Sequence, residues 1–428
     1  MKQRSKATLA LLGVTTRLSF IDQALVSGGN FTAGILMARA FGLYQFGRFT
    51  LIWMAVEFLM SLHFVTVLQP MLNIGPKQAE ADGDKYFGSV AAQQVLSCLI
   101  MGTLASLAAP LAGSLFAEPA VTNLAAPLFA CVTTYQLHNF FRRYLFLRER
   151  PVRALLVDMT RFGVQLAVTF ALIFRDDPPE ASAGLWIIAG ACGLSSTVGA
   201  CSFGKFTWDS RFFGSVMAQH WRFSKWLIPS ALMHWLTSQA YVLMCGIVLG
   251  AAMTGSLRAA MGLTGVLNIL VQALDSFAPA QASRAFHRGG RAELLDYVVR
   301  LAVLLGALTT ATVIALNMAP ELAIRLVYGQ QYEGVGYLVR WLCAPAVFYI
   351  AAVVLTIWAA AMERTQLIFR SYLAATIFTV VAAYPLAHFG GLGGILGTWL
   401  VVEIIRVAVL FRGLHTKRVA AGEAIVPT

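Results

Sequence analysis

Apolar residues run along this chain in long blocks, separated by short polar or glycine-containing joints. A helix crossing the hydrocarbon core of a bilayer needs about 20 mostly apolar residues. Twelve stretches satisfy that length: 18–40, 49–71, 86–109, 121–141, 153–174, 185–203, 226–249, 259–281, 299–318, 336–360, 368–387 and 391–411. The first is the most interrupted, by Asp22, Gln23, Gly28, Gly29 and Asn30. The expected fold is therefore all-α, a polytopic membrane protein with twelve transmembrane helices.

Twelve spans put both termini on one side. Of the 32 Lys and Arg residues, 24 then fall on that side, five on the other, and Arg161, Arg340 and Arg406 within spans. The excess of cations marks the cytoplasmic face, so both termini are expected in the cytoplasm. The start, MKQRSK followed by ATLALLGV, has the basic and apolar parts of a signal peptide. No small-x-small cleavage site follows and another apolar stretch begins at once, so retention of the first span is expected.

The longest joint, 204–225, falls midway and mixes Trp208, Phe212, Phe213 and Trp221 with cations. That is the composition of an amphipathic segment lying in a membrane interface. The expected organisation is a six-helix lobe at 1–203, this linker at 204–225, a second six-helix lobe at 226–412 and a cytoplasmic tail at 413–428. Ala-Leu recurs at 24–25 and 231–232, and FGLYQFGRF, with Gly42 and Gly47, is echoed by LGAAMTGSL, with Gly250 and Gly255. A repeat of six spans keeps the same topology in both halves, related by an axis along the membrane normal.

Composition agrees with the pattern. Hydrophobic residues make up 58% and charged residues 12%, with a mean hydropathy of +0.71. A soluble chain of this size has too little polar surface to cover so much apolar area, which excludes a soluble enzyme, a disordered scaffold and a secreted disulfide module. The net charge of +12 is explained by orienting loop charge, and no nucleic-acid partner is expected. Cys98, Cys131, Cys192, Cys201, Cys245 and Cys343 lack paired or metal-ligand spacing, so they read as small packing residues. There is no phosphate-binding glycine loop, no nucleophile elbow and no metal-ligand spacing. No enzymatic activity, cofactor or metal is expected, and net transport would need an external gradient.

Polar side chains at helical spacing inside spans carry the functional information, because hydrocarbon penalises them. Gln23, Ser27, Asn30 and Gly34 share a face of the first helix, bordered by Asp22. Thr50, Trp53, Glu57 and Ser61 share a face of the second. Ser230, His234, Thr237 and Tyr241 line the seventh, and Thr264, Asn268 and Asp275, with Gln272 beside them, the eighth. Each stripe alone is equally compatible with helix packing. Four at matching places in two halves favour a hydrated cavity walled by helices 1, 2, 7 and 8. Asp22, Glu57 and Asp275 are candidate proton or cation sites, or partners for an arginine. Asp158 with Arg161, and Glu403 with Arg406, are spaced to neutralise one another within a helix. Arg340 is a snorkelling cation or a phosphate ligand, and Pro127, Pro229, Pro279, Pro345 and Pro385 are expected to kink their spans.

The segment FIDQALVSGGNFTAGILMARAFG at 20–42 resembles the opening helix of bacterial polysaccharide and O-antigen flippases, within the multidrug/oligosaccharidyl-lipid/polysaccharide exporter superfamily. LVYGQQY, GYLVRWL and the closing HFGGLGGILGTWLVVE resemble that family's second half. The resemblance implies a V-shaped pair of lobes that alternate between inward- and outward-open states in the bacterial inner membrane. The implied substrate is an undecaprenyl-diphosphate-linked oligosaccharide for exopolysaccharide or O-antigen synthesis. A polysaccharide polymerase and a chain-length regulator are the implied protein partners, and the chain itself is expected as a monomer. In such proteins a cationic polar cavity takes the pyrophosphate and sugar. Here Arg17 and Arg39 flank the first helix, so they join Arg340 as phosphate-binding candidates, while no Lys or Arg lies deep in helices 2, 7 or 8. Two other classes fit less well: a multidrug or cation antiporter using Asp22 and Glu57, and a membrane-embedded polymerase or acyltransferase, which would need a larger periplasmic loop or a catalytic cluster.

Overall fold

The computed structural model describes residues 2–78, 80–115, 123–204, 209–265 and 278–415, and these form two compact units, 1–235 and 236–428. The described elements are all helices or helical turns, as a bilayer demands of a chain whose backbone polar groups must pair internally. In the first unit they are α1 (Lys2–His63), α2 (Gln69–Ile74), α3 (Glu80–Leu115), α4 (Ala125–Leu147), α5 (Pro151–Leu172), α6 (Ala181–Ala200) and α7 (Ser210–Ser224). α8 (Leu227–Thr264) runs from the first unit into the second. α9 (Ala278–Met318), α10 (Pro320–Tyr328), α11 (Gly336–Ala361) and α12 (Thr365–His415) complete the second.

Eight of these helical segments are long and apolar enough to cross a membrane, and four of them fold back on themselves at glycine. A straight helix rises about 1.5 Å per residue, so distant neighbours along it cannot meet. Yet Met37 and Phe49, about 18 Å apart on a straight helix, both press on Gly184. Cys245 hydrogen-bonds Thr254, and the Tyr297 hydroxyl donates to Ala278 O at 3.4 Å. A Cβ on Gly394 would overlap the Leu386 carbonyl. The four reversals lie at Gly42 (φ 68°, ψ 174°), Gly250 (φ 84°, ψ 177°), Gly289–Gly290 and Gly391 (φ 52°). With α4, whose Gln136, His138, Asn139, Arg142 and Arg143 dilute its hydropathy, the described helices account for eleven of the twelve expected spans. Most of the eighth, expected at 259–281, lies outside the described residues. Large apolar side chains such as Leu107, Leu111, Val303 and Val381 are exposed, as expected where the solvent is hydrocarbon. The chain is a multi-pass membrane protein.

Two of the five prolines are placed where they need not kink a span. Pro127 and Pro229 stand in the first turn of α4 and α8, where the missing N–H costs no hydrogen bond, while the residues just before Pro279 lie outside the described residues. Pro345 and Pro385 are inside α11 and α12, but the breaks in the helices fall at glycines.

The internal repeat is structural. Gly42 and Gly250 share one backbone conformation, in a region of φ/ψ space open essentially to glycine alone. A second repeated device joins α4 to α5 and α11 to α12. Glu149 (φ 53°) and Glu363 (φ 56°) both take a left-handed conformation. The arginine that follows each reaches back to a carbonyl at a helix end, Arg150 to Ser202 O at 3.0 Å and Arg364 to Gly413 O at 2.9 Å.

In the first unit α4 packs against α3 and α6, and α5 lies against α1 and α6. Its apolar core gathers Leu68, Met71, Tyr86, Phe87, Tyr144, Leu145 and Val216 at one end of the bundle. In the second unit α11 packs between α9 and α12, with Leu294, Leu301, Ile350, Ile357, Trp358 and Leu410 at the centre. Five cysteines are buried, as packing residues should be, and Cys201 is exposed.

Candidate functional site

Inside the first unit, side chains from α1, α4, α5 and α6 form a connected polar cluster. Arg142 on α4 is its hub. Its Nη2 donates to Asp22 Oδ2 at 2.5 Å and its Nε to Asp158 Oδ2 at 2.5 Å. Both carboxylates are almost fully buried, at 2% and 0% exposure, while the arginine retains 16%. His138 stands one turn before Arg142 on the same face of α4. Its Nε2 lies 3.3 Å from Asp158 Oδ1, off the line of a hydrogen bond. Its Nδ1 is 2.9 Å from Ser195 Oγ on α6.

Arg161 does not neutralise Asp158 in the way the spacing suggests. Its guanidinium lies 4.8 Å from the Tyr135 ring centre and 4.5 Å from that of Phe162. Asp158 is instead gripped by Arg142, one helix away. The reason is that α4 continues to Leu147, past the boundary of 141 read from hydropathy, so Arg142 and Arg143 are helical rather than loop residues. Arg143 packs over the Phe64 ring at 4.6 Å. A charged group in hydrocarbon costs about 2.5–3.5 kcal/mol even by the mildest measure. Asp22 and Asp158 offset that cost by sharing the Arg142 guanidinium, and Arg161, held over the Tyr135 and Phe162 rings, brings the guanidiniums of the cluster to two.

Next to this cluster, Trp53 Nε1 donates to Glu57 Oε1 at 2.9 Å, and the Trp53 ring meets Tyr135 edge-on at 5.5 Å. The second unit carries similar chemistry on different spans. Trp399 hydrogen-bonds Glu403, and the Tyr241 ring stacks on Trp399 at 4.8 Å and 3°. Arg406 pairs with Glu403 at 2.8 Å, as its spacing suggests, and donates to the Tyr372 hydroxyl at 3.2 Å.

The remaining sequence candidates divide as follows. Gln23 donates to Ser27 at 3.3 Å, both half-buried, and Asn30 is exposed. Ser61 is half-buried and bonds back to Phe58 O at 2.7 Å. Thr237 and Tyr241 are buried, whereas His234, Arg39 and Arg340 are exposed. The helix carrying Arg17 is described but its side chain is not, and Asn268, Gln272 and Asp275 lie outside the described residues. Among the described residues no group of three or more His, Cys, Asp or Glu is placed to hold a metal. A cavity of 410 Å³ between α1, α3 and the start of α4 is walled by Ile52, Val56, Leu59, Leu104 and Leu128, and so offers apolar contact only. The sequence reading missed Arg142 and His138 as site residues. Tyr135, His138 and Arg142, at i, i+3 and i+7, form a polar stripe as regular as those recognised on the first two helices.

Comparison with known proteins adds three findings. Residues 36–336 match the family described as "Polysaccharide biosynthesis protein". Among curated proteins, no sequence matches the chain. Several solved structures share the fold. One is the lipid II flippase MurJ in an inward closed conformation, 13% identical over 94% of this chain and 87% of that one, TM-score 0.70. Another is an inward-facing multidrug resistance MATE transporter of the MOP superfamily, 17% identical over 91% and 92%, TM-score 0.66. A third is a MOP superfamily transporter from Pyrococcus furiosus Vc1, 15% identical over 94% and 93%, TM-score 0.58. These neighbours are transporters and a flippase, not enzymes.

Proposed function

Because the chain belongs to the polysaccharide biosynthesis protein family, we propose that it carries a lipid-linked oligosaccharide across the bacterial inner membrane. The substrate is an undecaprenyl-diphosphate-linked repeat unit for exopolysaccharide or O-antigen, moved by alternating access of two six-helix lobes joined through the 204–225 linker. The family match carries the reading. A fold shared with a lipid II flippase supports it, as does the cation excess that puts both termini on the cytoplasmic side. The polar residues of the first, second, seventh and eighth helices are the walls along which the sugar head group passes, and Arg17, Arg39 and Arg340 are the cations for the pyrophosphate.

The MATE neighbours keep drug antiport as the second reading. Against it, Asp22 is committed to Arg142 instead of standing alone as a cation site. A deletion strain without a paralogue decides between them. Loss of surface polysaccharide with lipid-linked units trapped on the cytoplasmic leaflet is the expected result. Normal polysaccharide, together with rescue of drug sensitivity in a pump-deficient host, would transfer the chain to the antiporters.

A further inference from the structure

The linker helix α7 has two unlike faces. Val216, His220 and Ser224, at i, i+4 and i+8, are each only 1% exposed. Val216 enters the apolar core at the ends of the second, third and fourth spans, and His220 Nε2 is 2.9 Å from the Tyr86 hydroxyl. Ser224 Oγ donates to Val65 O at 2.6 Å. Val65 belongs to a π-helical turn, Phe64–Leu68, that interrupts the second span. Such turns are rare, and they mark places where a helix can change register. A second side chain, Gln93, donates to the neighbouring carbonyl of Thr66 at 3.1 Å. The π-turn is thus held by donors from α7 and α3.

The opposite face of α7 points away from the protein. Trp221 is 61% and Trp226, just past the helix, 75% exposed. Arg222 and Lys225, also exposed, stand between them, and the Lys225 ammonium lies 5.8 Å from the Trp226 ring centre. Asp209 is used at the start of the helix, accepting from Phe212 N at 3.3 Å. Lys77, exposed at the end of the turn after the second span, adds positive charge at that end of the bundle. Indole rings partition to the level of lipid head groups, and cations there are drawn to anionic lipid. Two indoles bracketing two cations, on a helix tied to the ends of transmembrane spans, match an anionic membrane surface in both charge and depth.

We propose that the outer face of α7 binds anionic phospholipid head groups and that this contact, passed on through Ser224, holds the π-turn of the second span. The lipid environment then sets how readily that span changes register, whichever substrate is carried. The test is hydrogen exchange of the full-length protein in nanodiscs of phosphatidylcholine or phosphatidylglycerol. Exchange at 212–224 and at 64–68 should be slower in phosphatidylglycerol by on the order of tenfold. R222Q with K225Q should erase the difference at both places. S224A should keep it at 212–224 and lose it at 64–68. Equal exchange in the two lipids, or a difference that survives R222Q/K225Q, overturns the lipid contact. Lipid-dependent slowing at 64–68 that survives S224A overturns the coupling.

Discussion

Replacing Arg142 with Gln tests the polar cluster most severely. The change removes one cation and leaves Asp22 and Asp158, 2% and 0% exposed, side by side. Removing one partner of a buried pair costs about 3–5 kcal/mol. The first unit spans residues 1–235, a size at which 1 kcal/mol moves the melting point about 2–4 °C, so a fall of roughly 10 °C is expected. Cys98, Cys131 and Cys192 are buried in this unit, so a thiol-reactive fluorophore reports unfolding in detergent as they become exposed. Asp22→Asn should cost less than half as much, because Arg142 keeps Asp158. R142Q combined with D158N should be milder than the sum of the two single variants, by about 1–3 kcal/mol of coupling. Additivity within about 0.5 kcal/mol, or an R142Q protein that melts with wild type, would refute the hub role of Arg142.

Other expectations can be checked the same way. Gly42→Ala and Gly250→Ala should each lose about 1–3 kcal/mol, because their φ/ψ values exclude a Cβ. Gly34→Ala, with open space around it, should melt close to wild type. Arg150→Gln and Arg364→Gln should cost about 1.5–3 kcal/mol each and by similar amounts, since they close equivalent joints; a loss at only one would deny the repeat. Burial lowers the His220 pKa from 6.5 to about 4. Its neutral form therefore stabilises the docking of α7 fully above pH 6.5. That contribution, up to about 3 kcal/mol, is lost as pH falls from 6.5 to 4. Protection at 212–224, taken as exchange relative to the unfolded-chain rate at each pH, should fall over that window and lose its acid dependence in His220→Leu; protection that stays constant in wild type would show that His220 is not buried in neutral form.

Span number was legible because the bilayer sets one length scale, and each hydrophobic block records it directly. The reversals were legible in part. The glycines at 42 and 250 stood out as a repeated pair, and their conformations explain why nothing else fits there. The Glu149–Arg150 and Glu363–Arg364 joints passed unseen, since two residues in a loop carry no periodicity. Pro127 and Pro229 misled, because a proline's effect depends on its distance from the helix start, which hydropathy locates only to within a turn. The same uncertainty hid Arg142, as ending the fourth span at 141 turned a buried hub into a loop cation. Asp158 and Arg161 were misread for a related reason. Spacing along one helix shows which charges can meet, and the neighbouring helix decided which did. Glu403 and Arg406, with no rival cation beside Glu403 among the described residues, paired as their spacing suggested.

The most direct measurement is translocation in proteoliposomes. A fluorescent undecaprenyl-diphosphate-linked oligosaccharide is built into both leaflets, and its sugar is challenged from outside with an impermeant glycosidase. With the protein present, sugar from the inner leaflet should become cleavable with time, while protein-free vesicles keep that fraction protected. Equal protection with and without the protein, across several sugar compositions and an imposed proton or sodium gradient, would contradict a role in carrying lipid-linked sugar.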